Sequence, residues 1–137
     1  KNEGAVVAAG GGRPDHLKRG WFVEPTVFRD VSNDMRIAQE EVFGPVVTFI
    51  PYNDEATAIA TANDSPFGLH GTVWTSDIDH GTEIGRQIRT GTFSVNALML
   101  DPAAPFGGVK NSGVGREMGD EGLSAYLESK TITVPAG

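Results

Sequence analysis

Apolar and polar positions alternate most legibly in the middle of the chain. Val46 to Tyr52, VVTFIPY, is a short β-branched and aromatic run and predicts a strand. Asn53 or Asp54 then caps a helix running through Asn63, with Ala56, Ile59 and Ala60 on one face. Pro66 and Gly68 end that segment. GTVWT, Gly71 to Thr75, predicts a second strand. Ser76 or Asp77 caps a second helix in which Ile84 and Ile88 share a face, and Gly91 stands where a helix C′ glycine belongs. TFSV, Thr92 to Val95, is the third strand. Strand, helix, strand, helix, strand with short links predicts an α/β fold: a βαβαβ, mostly parallel sheet with right-handed crossovers and flanking helices.

The ends carry weaker patterns. AVVAA (Ala5 to Ala9) and WFVEPTVF (Trp21 to Phe28) predict further strands, and Gly10 to Gly12 a turn between them. Asn33 or Asp34 starts a single helical turn that includes Met35 and Ile37. Asp120 to Leu127 predicts a helix with Leu123, Tyr126 and Leu127 packing inward. KTITV, Lys130 to Val134, alternates like a strand and needs an edge to pair with, for which a neighbouring subunit is the candidate. The expected division is a body over residues 1–127 and a C-terminal edge strand or oligomerisation tail over 128–137.

Composition narrows the function classes. The 137 residues are 39% hydrophobic and 21% charged, which suits a folded domain, and the formal net charge of -7 argues against nucleic acid or an anionic membrane as partner. There is no cysteine, hence neither a disulfide framework nor a thiolate metal site, and His16, His70 and His80 stand too far apart to imply a metal. No apolar stretch is long enough to span a bilayer and the first residues do not read as a signal peptide, so a cytosolic protein is expected.

The 18 glycines and 8 prolines concentrate at Gly10 to Gly12 and between Pro102 and Gly122. The second stretch is too long for a turn and follows a strand end directly, where open α/β sheets bind ligands. It reads equally as a structural Ω-like excursion. Two phosphate motifs fail there: GGVKNSG lacks the P-loop spacing, and Gly113, Gly115 and Gly119 give GxGxxxG rather than GxGxxG.

Four stretches in order carry a resemblance: AQEEVFGPV (Ala38 to Val46), the spacing from Asn63 to Gly68-Leu69, SVN (Ser94 to Asn96), and PFGGVKNSGVGREMG from Pro105 to Gly119. Together they resemble the C-terminal portion of the aldehyde dehydrogenase superfamily. The resemblance implies an oxidoreductase that converts a small-molecule aldehyde to an acid with NAD or NADP. In that family a cysteine thiolate attacks the aldehyde, hydride passes to the nicotinamide, and a glutamate activates water for release. Nucleophile and base lie upstream of the matched region, so a chain without cysteine is expected to be an inactive C-terminal fragment. The alternative is a stand-alone binding or assembly module of the same fold. A homo-oligomer, dimer or tetramer, is expected through the C-terminal strand.

The resemblance also assigns residues. Glu41 matches the carboxylate that holds the nicotinamide ribose, while Glu40 reads as a solvated acid. An ionised carboxylate only accepts hydrogen bonds and suits two neighbouring hydroxyls. Phe43 matches an aromatic near the nicotinamide, with a core phenylalanine as the other reading. Phe106 matches the lining of the aldehyde tunnel. Leu98, Met99 and Leu100 fall in the substrate-variable segment, and their apolar side chains imply an uncharged, hydrophobic aldehyde. Glu117 matches a proton-relay carboxylate, or pairs with Arg116 or Lys110. Asn96 bonds either the loop or the substrate. One tension stays open: Glu41 precedes a strand and Asn96 follows one, which requires a mixed sheet or a long wrap of the acidic segment.

Overall fold

The computed structural model describes residues 2–137 and divides the chain into two compact units, Lys1–Pro66 and Phe67–Gly137. The first unit opens with β1 (Val6–Ala9), β2 (Thr26–Arg29), the single-turn helix α1 (Arg36–Gln39), β3 (Val46–Thr48) and α2 (Glu55–Asn63). β1 runs antiparallel and β3 parallel to β2, so this sheet is mixed. The strand predicted from Trp21 begins only at Thr26, because Pro25 has no N–H for the ladder. The run from Val46 keeps strand geometry only to Thr48, with one more bond from Phe49 N to Phe28 O, before Pro51. The predicted turn of α1 starts at Arg36, with Met35 as its cap residue.

Asp54 caps α2, accepting from Thr57 N at 2.7 Å. That bond holds its carboxyl below the usual aspartate value. The face expected of α2 is not buried: Ala56 and Ala60 are exposed and Ile59 is half-buried.

The second unit contains β4 (Phe67–Gly68), β5 (His70–Val73), α3 (Ile78–Gln87), β6 (Thr92–Val95), β7 (Val109–Lys110) and α4 (Gly119–Ser124). β5, α3 and β6 form a βαβ unit with β5 and β6 parallel in the register His70 to Thr92 and Val73 to Val95. β4 and β7 pair antiparallel. The α/β class holds, with parallel and antiparallel pairs, but the expected continuous βαβαβ sheet is divided: β3 bonds to β2, not to β5. Asp77 caps α3 by accepting from His80 N at 2.9 Å. Gly81 and Gly85 lie one turn apart and set the helix directly on the strand pair. A Cβ on Gly81 would come within 2.8 Å of Val95, and one on Gly85 within 2.6 Å of Phe93.

Three expectations at the end of the chain are corrected. Gly91 is not a helix C′ glycine, since α3 ends at Gln87 with Ile88 as its cap. Gly91 permits a backbone crossing instead, because a Cβ there would sit 1.7 Å from Gly107 O. The helix predicted to Leu127 stops at Ser124, and Leu123, Tyr126 and Leu127 point into solvent. Lys130 to Val134 forms no strand among the described residues, with Ile132 and Val134 exposed, because a strand needs a paired edge.

Neither unit closes a core of its own. In the first, the covered residues are Ala5, Thr26 and Val31. In the second, every fully covered residue among those described is a glycine: Gly68, Gly81, Gly108 and Gly122. The chain exposes 10459 Å². A self-contained monomer of 14.5 kDa exposes about 6,900 Å², and two separate bodies of half that mass about 8,300 Å² together. Among the described residues no helix is long and apolar enough to cross a membrane.

Two outcomes follow. The Asp54 carboxylate, with its value lowered in the folded state, contributes stability above its ordinary value of 3.8, and that contribution disappears as pH falls through the lowered value. The stability difference between wild type and Asp54→Ala, measured by denaturant unfolding, is therefore constant near neutrality and shrinks below that pH. Separately, the isolated chain is expected to bind a hydrophobic dye and to self-associate in light scattering, through the apolar side chains it leaves uncovered.

Candidate functional site

Polar ties fix the stretch AQEEVFGPV at both of its ends. At its start, Gln39 Nε2 donates to Asn33 O at 2.7 Å and to Asp64 O at 2.9 Å, and Asn33 Nδ2 donates to Asp64 Oδ2 at 2.9 Å. These bonds attach α1 to the end of α2. Glu3 Oε2 accepts from Arg36 N at 2.8 Å at the opening of the same turn. At the far end, Thr26 N donates to Pro45 O at 2.8 Å, which registers β3 on β2.

Between those anchors the two glutamates part ways. Glu40 receives both arms of Arg36, Nε to Oε1 and Nη2 to Oε2, each at 2.8 Å. The guanidinium bond holds the Glu40 carboxyl below its ordinary value, and Glu40 raises Arg36 in return. Glu41 is exposed and has no hydrogen bond or ion pair among the described residues. Glu40, expected as a solvated acid, is thus tied to Arg36, while Glu41 is an exposed acid without a tie among the described residues. Phe43 is no core residue: it is 91% exposed and its backbone is left-handed, with φ 50. A bulky side chain in that region is strained, at a cost of about 1–3 kcal/mol. An exposed carboxylate two residues from a projecting aromatic offers acceptors to hydroxyls and an apolar plane to a flat ring.

In the second unit β6 ends at Asn96, also left-handed with φ 54. Its amide behaves as a further step of the strand pair. Oδ1 accepts from Thr75 N at 2.7 Å and Nδ2 donates to Thr75 O at 2.6 Å, while Asn96 N donates to Val73 O at 2.8 Å. Asn96 therefore holds the end of β5 rather than the loop that follows it.

Phe106 and Glu117 are joined by reciprocal backbone bonds, each 2.7 Å. The ion pair expected for Glu117 is not formed. Arg116 Nη1 donates instead to the carbonyls of Gly108 at 2.7 Å and Gly115 at 2.8 Å, and the exposed Glu117 carboxylate has no partner among the described residues. The long loop is thus a tied structure, closed by Arg116 and by the Gly91–Gly107 crossing.

A cleft of about 180 Å³ lies between β5–β6 and this loop. Met99, Leu100 and Phe106 line one side; His70, Thr92 and Ser94 line the other. Three of the expected substrate residues are therefore brought together. Leu98 is not among the lining residues and is 79% exposed, and Asn96 is also not among them. His70, Thr92 and Ser94 escape a reading that treats histidines only as metal ligands. Their signal is the polar residue at every second position in HGTV and TFSV, which marks one polar face of a strand pair.

The sequence profile of the aldehyde dehydrogenase family matches residues 1–132. Geranial dehydrogenase of Castellaniella defragrans is 53% identical over 128 residues, covering 93% of this chain and 27% of that protein. Betaine aldehyde dehydrogenase of Brucella anthropi is 48% identical over 140 residues, covering 100% of this chain and 29% of that protein. Among solved structures, a Mycobacterium tuberculosis aldehyde dehydrogenase complexed with NAD+ superposes with a TM-score of 0.94 at 54% identity, over 99% of this chain and 28% of that one. A Staphylococcus aureus betaine aldehyde dehydrogenase in complex with NAD+ gives 0.89 at 48% identity, over 94% and 26%. The chain spans 27 to 29% of the length of the two curated relatives. A profile match over nearly every residue, with close agreement in both sequence and backbone, places this chain in the aldehyde dehydrogenase family.

Proposed function

We propose that this chain supplies the nicotinamide-ribose contact and part of the aldehyde channel of an NAD- or NADP-dependent aldehyde dehydrogenase, which oxidises an aldehyde to a carboxylic acid. The observation that carries this reading is the asymmetry of the paired acids. Arg36 occupies Glu40 with two bonds, while Glu41, exposed in a doubly anchored turn, has no partner among the described residues. A Mycobacterium tuberculosis relative solved with NAD+ matches 99% of the chain, which supports the reading.

On this reading Glu41 accepts from both ribose hydroxyls, and the exposed ring of Phe43 forms an apolar wall that excludes water beside the nicotinamide. The bound dinucleotide supplies a hydride acceptor. What the chain contributes is orientation: a ribose fixed at one carboxylate presents the ring at one angle. Met99, Leu100 and Phe106 receive the apolar body of an uncharged aldehyde. Glu117, bonded to Phe106 through the backbone and without an ion pair among the described residues, is available to pass protons toward solvent. Asn96 keeps the strand end in place.

With no cysteine among its 137 residues the chain has no thiol nucleophile, so it is inactive by itself and works beside polypeptide that provides nucleophile, base and the rest of the dinucleotide fold. The same polypeptide covers the apolar faces that neither unit buries. Ile132 and Val134, exposed and unpaired, belong to a tail that adds a strand to a second copy in a cytosolic dimer or tetramer.

In the whole enzyme, Glu41→Gln is expected to lower the single-turnover rate of hydride transfer by about tenfold or more while the melting temperature stays near wild type. A wild-type single-turnover rate in that variant removes Glu41 from the cofactor site.

A further inference from the structure

The helix that precedes the paired acids is a single turn, Arg36–Gln39, with no side-chain cap at its start. One turn is not stable by its own hydrogen bonds, so its place has to come from ties to other segments. Gln39 supplies them. Its half-buried side chain donates through Nε2 to Asn33 O, ahead of the turn, and to Asp64 O, at the end of α2. Both partners are carbonyl oxygens, so the nitrogen of the amide has to face them, and both of its protons are used. Asp64 is the C-cap of α2, a place where carbonyls lack a partner within the helix. The Asn33 side chain closes the same ring through Asp64 Oδ2.

The residues just beyond the turn have no comparable support. Residues 41–43 make no hydrogen bond, by backbone or by side chain, among the described residues. The flanking backbone bonds are Glu40 N donating to Arg36 O and Val46 N donating to Gly44 O, each at 2.7 Å. On its upstream side the Glu41 carboxylate therefore inherits its place from α1, and α1 inherits its place from Gln39.

We propose that Gln39 is a positioning residue for the cofactor: by fixing α1 on the end of α2, it sets where the Glu41 carboxylate meets the nicotinamide ribose. The inference rests on the reading that Glu41 holds that ribose. Gln39 acts through Glu41 and not by a contact of its own. Orientation is sensitive to such supports, because a misplacement of about 1 Å can cost about a hundredfold in rate.

The test uses the whole enzyme with NAD+, or with NADP+ if wild type prefers it. Gln39→Met keeps the length of the side chain and removes its donor, whereas Gln39→Lys keeps a donor at comparable reach. The readouts are the dinucleotide dissociation constant by calorimetry and the single-turnover rate of hydride transfer per active site. Gln39→Met is expected to worsen each by about fivefold, with the aldehyde KM near wild type, and Gln39→Lys to recover most of the loss. In a Glu41→Gln background, Gln39→Met is expected to add about twofold or less, because the two residues act in series. A purely structural role would lower the melting temperature and leave the per-site rate and this coupling unmoved. Asn33→Ala cuts only the outer tie to Asp64 and is expected to shift the same quantities by less; it carries the test if Gln39→Met does not fold. Wild-type affinity and per-site rate in Gln39→Met overturn the proposal, as do losses that multiply in full with those of Glu41→Gln. Either result leaves the ribose reading standing if Glu41→Gln alone slows hydride transfer. A wild-type rate in Glu41→Gln sinks both.

Discussion

The constraint behind the whole structure is apolar surface that the chain cannot bury by itself. Its largest sheet has three strands and the other two have two each. Sheets that small close a core only against further layers. α3 provides one such layer for β5–β6, through glycines that remove the spacing a larger side chain would impose. The aromatic and aliphatic residues elsewhere, Phe49 and Trp74 among them, remain largely open. Because burial is scarce, hydrogen bonds define the geometry of the acidic turn. Exposed ion pairs such as Arg36–Glu40 add little to stability, but two parallel bonds on one carboxylate settle which of two adjacent acids is left free.

The same economy shapes the second unit. Arg116 replaces a hydrophobic staple by holding two carbonyls of its own loop, and the Gly91–Gly107 crossing draws the loop onto the entrance of β6. Asn96 lengthens the parallel pair by one residue, with a side-chain amide in place of a peptide. Phe106 inherits its position from these ties and from its bonds to Glu117. The loop-side wall of the cleft, with Met99, Leu100 and Phe106, is therefore fixed by polar contacts at its rim, and His70, Thr92 and Ser94 form the opposite wall.

What the sequence makes legible is what local chemistry decides. Asp54 and Asp77 cap helices as their side chains dictate, and TFSV is a strand over its whole length. Pairing is not local, and there the reading fails. VVTFIPY does not reveal that its partner is β2, so the pattern alone groups β3 with the strands that follow it. Gly91 has the position of a helix cap but serves a contact with Gly107, sixteen residues on, that no window shows. Leu123, Tyr126, Leu127, Ile132 and Val134 are patterned for burial, yet all five are exposed. His70 and Ser94 were passed over because a period-two polar face is informative only once the strands are known to lie side by side.

Backbone strain gives an independent view of the same residues. Among the described residues, five that are not glycine are left-handed: Asp30, Phe43, Asn96, Lys110 and Met118. Asp and Asn tolerate that region through their short polar side chains, and Asn96 shows how, bonding Thr75 on both sides of its amide. Phe43 has no such recourse. Its ring is open to solvent, so its strain is not offset by burial within the chain. It persists because Gly44 and Pro45 turn the chain sharply, with Val46 N reaching Gly44 O at 2.7 Å, and because Thr26 N holds Pro45 O. A strained, projecting aromatic gains nothing for the folding of this chain alone. The strain is therefore not offset within the described residues, and on the function proposed above the nicotinamide ring is what packs against Phe43.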